Sequence, residues 1–185
     1  MKRILFGLLC CCFLVGCGMS QDPLYKPMQL REQLTEKGCA FEVEVTADYL
    51  ESLLTFTLDC VVDAKGTLDF TVVAPQEIAG IQGKIQAGQG RLVFADTVLS
   101  VPLLAEGELS PLSGPWVLIT ALRGGYMVSA GKEGELLRLS VNDSYAENAL
   151  RVEVWLDSNL VPQNAEVYHQ GRRVLSMTIK DFHFV

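Results

Sequence analysis

The 185-residue sequence is short of basic charge: 15 lysines and arginines stand against 22 aspartates and glutamates, a formal charge of −7. A nucleic-acid binder needs a basic face that neutralises phosphates, and a polybasic membrane-surface protein needs a similar cluster. Histidine is scarcer still, with only His169 and His183. No HxxH or CxxC spacing occurs, so the three or four ligands of a zinc site do not come together in the sequence. There is no G-x-S-x-G elbow for a serine nucleophile. No Gly-Lys-Ser/Thr follows Gly80-Ile81-Gln82-Gly83 or Gly88-Gln89-Gly90, which excludes a P-loop and leaves turns or bulges. Nothing implies a metal or a cofactor, and the reading is of a non-catalytic protein. What the chain does have is a 49% hydrophobic fraction, enough for the core of one domain and too much for a disordered tail.

The N-terminus reads Met1-Lys2-Arg3, an apolar run over residues 4–15, then Gly16-Cys17. A basic start, a 12-residue apolar stretch and a small residue before the cut make a secretory signal. The stretch is too short for a bilayer-spanning helix, which takes about 20 residues. Leu14-Val15-Gly16-Cys17 resembles the lipobox of bacterial lipoproteins. That resemblance implies removal of residues 1–16 and acylation of Cys17, with palmitate among the chains. It also implies an extracytoplasmic domain anchored to the cell membrane by lipid. Two or three acyl chains make a stable anchor where one is marginal, each buried CH₂ adding about 0.8 kcal/mol. Cys10, Cys11 and Cys12 would leave with the signal. Loss of Lys2 and Arg3, with no acid removed, would take the charge to −9. Residues 17–27 then read as lipidated cysteine and tether, and 28–185 as the domain.

Leu24, Met28, Leu30 and Leu34 recur at roughly helical spacing among Gln, Arg and Glu, and Gly38 closes the stretch, which predicts a short amphipathic helix over 28–37. From Phe41 the period becomes two. Phe41, Val43 and Val45 alternate with Glu42, Glu44 and Thr46, and Leu54, Phe56 and Leu58 with Thr55, Thr57 and Asp59, as in antiparallel strands with one wet face. Further strands are expected at 67–73, 83–87, 91–102, 126–130, 136–141, 150–157, 165–169 and 174–184. Between them 116–122 reads as a helix apolar nearly all round, to be enclosed on several sides. Ser113-Gly114 before it is explained as a cap. The fold class is therefore α+β: about ten strands in a large curled antiparallel sheet, an N-terminal helix, and an apolar helix covering the concave face.

This order of elements resembles the lipoprotein-localisation (LolA/LppX-like) half-barrel. The closest local matches are Val154-Trp155-Leu156-Asp157 followed by Pro162, and Ile179-Lys180-Asp181-Phe182. The resemblance implies helices seated in the concave side of the sheet. It also implies binding or carrying of a hydrophobic ligand such as lipid acyl chains. Some members bind partner proteins instead, and a clostridial germination lipoprotein serves a cell-wall amidase. The alternative is thus a partner or regulator of an envelope or spore cell-wall enzyme.

Two groups of residues carry specific expectations. If Cys39 faces Cys60, then Phe41 faces Leu58, Val43 faces Phe56 and Val45 faces Leu54, every pair apolar. The cysteines would lie within disulfide reach, and closing that loop would add roughly 3 kcal/mol. The other reading is two buried free thiols. Trp116, Leu118, Ile119 and Leu122, with Leu103 ahead of them, either plug the concave face or form one wall of an acyl-chain cavity. His169, His183, Glu42, Glu44 and Asp157 read as surface groups, and Arg172-Arg173 as a small basic spot on a hairpin.

Overall fold

The computed structural model describes residues 24–185 except Glu51, Ala95, Asp96, Leu103, Glu106 and Gly107. The expected signal over residues 1–16, Cys17 and Leu103 lie outside the described residues. Helix α1 is Tyr25–Glu36, three residues ahead of the sequence expectation. Pro27 is in its first turn, where proline's missing N–H costs no helical bond, so proline does not mark the end of a tether here. Only Pro27, Leu30 and Leu34 of α1 are buried; Tyr25, Lys26 and Met28 around Pro27 are exposed, so no continuous apolar face marks where the helix begins.

The strands follow as β1 Cys39–Asp48, β2 Leu53–Val62, β3 Leu68–Ala74, β4 Gln82–Gln86, β5 Gln89–Phe94, β6 Thr97–Pro102, β7 Leu104–Ala105 and β8 Glu108–Leu109. After a 3-10 turn at Pro111–Ser113 comes helix α2, Gly114–Gly124. The chain ends with β9 Tyr126–Glu133, β10 Leu136–Asn142, β11 Arg151–Leu156, β12 Pro162–His169 and β13 Arg172–Phe184. Eleven strands make one curled, unclosed antiparallel sheet in the order β6-β5-β4-β3-β2-β1-β13-β12-β11-β10-β9, and β7-β8 form a separate ribbon. The α+β half-barrel is thus as expected. One strand was expected over 91–102; the structure has two, paired as a hairpin with Phe94 opposite Thr97. The break escapes sequence reading because Ala95-Asp96 carries neither glycine nor proline.

The expected pairing of β1 with β2 is wrong by one step of two residues. Cys39 faces Val62, Phe41 faces Cys60, Val43 faces Leu58 and Val45 faces Phe56. Alternation fixes only which face a residue lies on, and a two-residue slip preserves it. The loop decides the rest. Tyr49 N–H bonds the Ser52 carbonyl and Leu50 N–H bonds Asp48 Oδ1, making a four-residue connection where the expected register needed two. Cys39 and Cys60 are therefore diagonal neighbours, and both are buried free thiols. The argument for a disulfide falls with the register that supported it.

Both helices sit on the inner face. A Cβ on Gly114 would touch Leu175, Met177 and Val45 at 3.3 Å each, so α2 starts in direct contact with β1 and β13. Arg31 of α1 donates to the carbonyls of Leu122 and Gly125, and Arg123 of α2 donates to those of Leu34 and Ala64. The two helices thus clasp each other's backbone. Ser113 does not cap α2; its hydroxyl donates to the Ser110 carbonyl at 2.6 Å, because the preceding 3-10 turn already brings that oxygen close. Gly83 lies so near the Phe70 ring that a Cβ would stand 2.1 Å away, which lets the sheet curl tightly at β3–β4.

Candidate functional site

Of the residues expected to wall a ligand cavity, the three deepest in α2 are core residues. Leu118, Ile119 and Leu122 are 1%, 2% and 1% exposed and belong to one buried cluster with Val43, Val45, Leu139, Val154, Val167 and Leu175. Trp116 is only half-buried at its edge. Each enclosed leucine contributes about 1.5–3 kcal/mol by burial. Beneath α2 the concave face is filled by the helix's own side chains.

The opposite face of the sheet is shaped differently. Outward side chains of β1, β13, β12, β11, β10 and β9 line a groove of about 490 Å³, with Glu44, Trp155, Glu166, Glu133, Ser176 and Thr178 among its walls. The strand period places them there, since each alternates with an inward residue such as Val45, Val154 or Val167. No helix covers this groove among the described residues; both pack on the other side.

A lattice of charge holds its far wall. Glu153, 4% exposed, is the one buried charged side chain among the described residues. Its carboxylate accepts from Arg138 Nε at 3.1 Å and from Ser140 Oγ at 3.0 Å, and Arg151 Nε lies 3.2 Å away. Arg138 also pairs with Glu133 at 3.1 Å and lies over the Trp155 ring at 5.3 Å. Hydrogen bonding to Glu153 raises the Arg138 pKa further. Arg151 sits 4.6 Å over the Tyr168 ring. Tyr168 donates to Glu166 at 2.7 Å, and Arg173 donates to the same carboxylate at 2.6 Å. Burial opposes ionisation of Glu166, but these two hydrogen bonds outweigh it and hold the carboxyl below its usual range. The same bond to Glu166 raises the Tyr168 hydroxyl. Arg138 and Arg151 are each thus committed to a carboxylate and to an aromatic face, which fixes Trp155 and Tyr168 as a platform.

Sequence reading missed Glu153, Arg138 and Arg151. Each alternates with apolar residues as any wet-face residue does, and burial comes from partners on neighbouring strands. The available signal was Arg and Glu at outward positions of strands 136–141 and 150–157, both also bearing a large aromatic or leucine. Neither histidine lines the groove; His183 Nδ1 sits 2.8 Å from the Asp181 carbonyl. No group of three or more His, Cys, Asp or Glu fit to hold a metal occurs among the described residues. Glu44 is exposed and Glu42 half-buried beside Lys180, and Asp157 shapes its own loop by accepting from Asn159 and Val161 N–H.

No family model and no curated protein matches the sequence. Solved structures do resemble the fold. A conserved uncharacterised protein from Thermus thermophilus superposes with a TM-score of 0.50 at 8% identity, covering 89% of this chain and 88% of its own. A protein domain described as sorting outer-membrane lipoproteins, from Vibrio parahaemolyticus, gives 0.48 at 11% identity over 86% of this chain and 91% of its own. A LolA-superfamily protein from Nitrosomonas europaea gives 0.46 at 11% identity over 86% and 93%. At 8% identity the Thermus thermophilus protein shares the fold alone with this chain.

Proposed function

We propose that the protein is a lipid-anchored extracytoplasmic lipoprotein that performs no catalysis and docks a partner protein of the cell envelope. The observation that carries this reading is the contrast of the two faces. The concave face is packed shut by Leu118, Ile119 and Leu122, while the opposite face offers a groove beside a platform of Trp155, Arg138 and Tyr168. Aromatic residues and arginine are the side chains enriched at protein interfaces and at their energetic centres. Such a platform is rigid before binding, so little ordering entropy is lost on contact.

The anchor is supported by Leu14-Val15-Gly16-Cys17 behind a basic, apolar leader. No helix among the described residues is long and apolar enough to cross a membrane. Mass analysis of the membrane-extracted protein should find a chain beginning at an acylated Cys17, and Cys17→Ala should stay unacylated. Affinity capture from membranes tests the docking. A protein recovered with the wild type and lost with Trp155→Ala supports it; equal recovery with both sinks it.

A hydrophobic-ligand carrier is the second reading, favoured by one observation. Leu92 and Leu99 pair across β5 and β6 on the inward side, yet Leu92 is half-buried and Leu99 is 55% exposed. That wing of the sheet extends past the helices and leaves an apolar strip for an acyl chain. Native mass spectrometry of the purified domain decides it, a lipid adduct lost in Leu99→Glu being the expected result.

A further inference from the structure

In an antiparallel sheet every second connection lies at the same end. The β1–β2 loop (49–52), the β10–β11 connection (143–150), the β12–β13 turn (170–171) and the start of β9 share one end; Cys39, Val185 and the 63–67 turn share the other. The first end gathers exposed large apolar side chains. Leu50 is 77% exposed and Leu53 70% in the β1–β2 hairpin, and Tyr145 is 87% exposed with its ring 5.0 Å from that of Tyr126. Arg172 donates to the Asp48 carbonyl at 3.0 Å, tying the hairpin to the neighbouring turn.

The described residues begin at the same end. Leu24 and Met28 of the first turn of α1 line a hollow of about 590 Å³ together with Tyr126, Asp143 and Tyr145. Seven residue steps separate Leu24 from Cys17, a reach of about 25 Å at full extension. An acyl anchor there holds this end of the domain within that distance of the bilayer. Leu50, moreover, has φ +68°, a conformation strained for a residue with a Cβ. A strained leucine that is mostly exposed gains little from the domain it belongs to.

We infer that this end is a lipid-facing edge: Leu50, Leu53, Tyr126, Tyr145 and Met28 enter the headgroup boundary and hold the domain upright on the membrane. The inference rests on the proposed acylation of Cys17. Tyrosine suits the bilayer interface, where its ring is apolar and its hydroxyl wet. At this end Arg172 donates to the Asp48 carbonyl and Arg173 to the Glu166 carboxylate, so the contact is apolar and forms on neutral lipid. With this end down, the groove on the sheet's open face stands beside the membrane and remains open to a partner.

The test is amide hydrogen exchange on the acylated protein reconstituted in phosphatidylcholine vesicles, against the unacylated Cys17→Ser chain in solution. Exchange near 49–54 and 144–146 should slow by about fivefold or more on vesicles, while the turns at 63–67 and 158–161 stay unchanged. Leu50→Glu combined with Leu53→Glu, both at exposed positions, should abolish the slowing at 49–54 and leave the acyl mass intact. An acylated chain with unchanged exchange at this end overturns the inference alone, as does slowing at the opposite end. Slowing that appears only when another envelope protein is added assigns the patch to that protein and overturns the lipid contact. A chain that carries no acyl group overturns the anchoring reading, and this inference with it.

Discussion

On the face beneath the helices the most deeply buried side chains are valines and leucines, Val43, Val45, Leu118 and Leu122 among them; on the open face the most deeply buried is a glutamate. Both faces belong to the same strands, one residue apart. Val154 and Glu153 are chain neighbours, 0% and 4% exposed, yet one is held by dispersion and water exclusion and the other by two guanidinium groups and a hydroxyl. The inner face therefore supplies stability, and the open face supplies a fixed arrangement of polar and aromatic groups. Those tasks respond differently to substitution.

Truncation inside should have the largest effect. Leu118→Ala or Leu122→Ala leaves a cavity between α2 and the sheet and should cost about 2–5 kcal/mol in denaturant unfolding. Partner capture by molecules that remain folded should not change, since neither residue reaches the groove.

The two thiols sharpen the inner side of the comparison through pH. Burial pushes the Cys39 pKa up to about 12 and raises Cys60 as well, with Asp59 and Cys39 adding to the effect at Cys60. An unfolded thiol ionises near 8.5, so above that pH the unfolded chain releases protons that the folded chain retains. Stability is then complete below about pH 8.5 and falls above it, for Cys39 at about 1.4 kcal/mol per pH unit up to about pH 12, and for Cys60 in the same direction. Melting scans from pH 8 to 11 should show the decline, and Cys39→Ala with Cys60→Ala should flatten it. Thiol titration of the denatured, unreduced domain should count two.

On the open face, Glu153→Ala removes a charged acceptor from Ser140 and Arg138. The expected loss is about 2 kcal/mol, in the range for hydrogen bonds to charged groups, because both arginines are half-exposed and can return to water. Partner capture should fall further than stability does, since Trp155 loses the cation that holds it. Equal loss of both would reduce Glu153 to a structural role. The smallest effect, and the only gain, is expected at the hairpin. Leu50→Gly relieves the positive φ and should raise stability by about 1 kcal/mol in thermal melts.

The fold was largely legible because its signals are periodic. Alternation at Phe41–Val43–Val45 and the apolar run at 116–122 fixed the strands, the wet face and the enclosed helix. Register was not legible, since Phe41 paired with Leu58 or with Cys60 buries the same face equally well, and the loop at 49–52 makes the choice. The groove was invisible for a related reason. Trp155, Glu166 and Ser176 come from three consecutive strands and Glu44 from β1 at the other end of the chain, and only the β1–β13 pairing sets them side by side. Asp181 shows the same limit on a small scale. At φ +52° it accompanies a register shift between β1 and β13, near the stacked Phe41 and Phe182 rings, 5.8 Å apart. Nothing in Lys180-Asp181-Phe182 announces a bulge.

Because the sheet never closes, it ends in two unpaired strands, β6 and β9. Rows of free N–H and C=O groups invite a second chain to add itself. With Cys17 acylated as proposed, the copies would meet in two dimensions, where collisions are frequent. Pro102 removes a donor at the end of β6, and β9 carries Lys132 and a register irregularity against β10. These are the devices by which natural sheets discourage edge-to-edge growth. A barrel left ajar can thus resist edge-to-edge growth while its open face stays accessible.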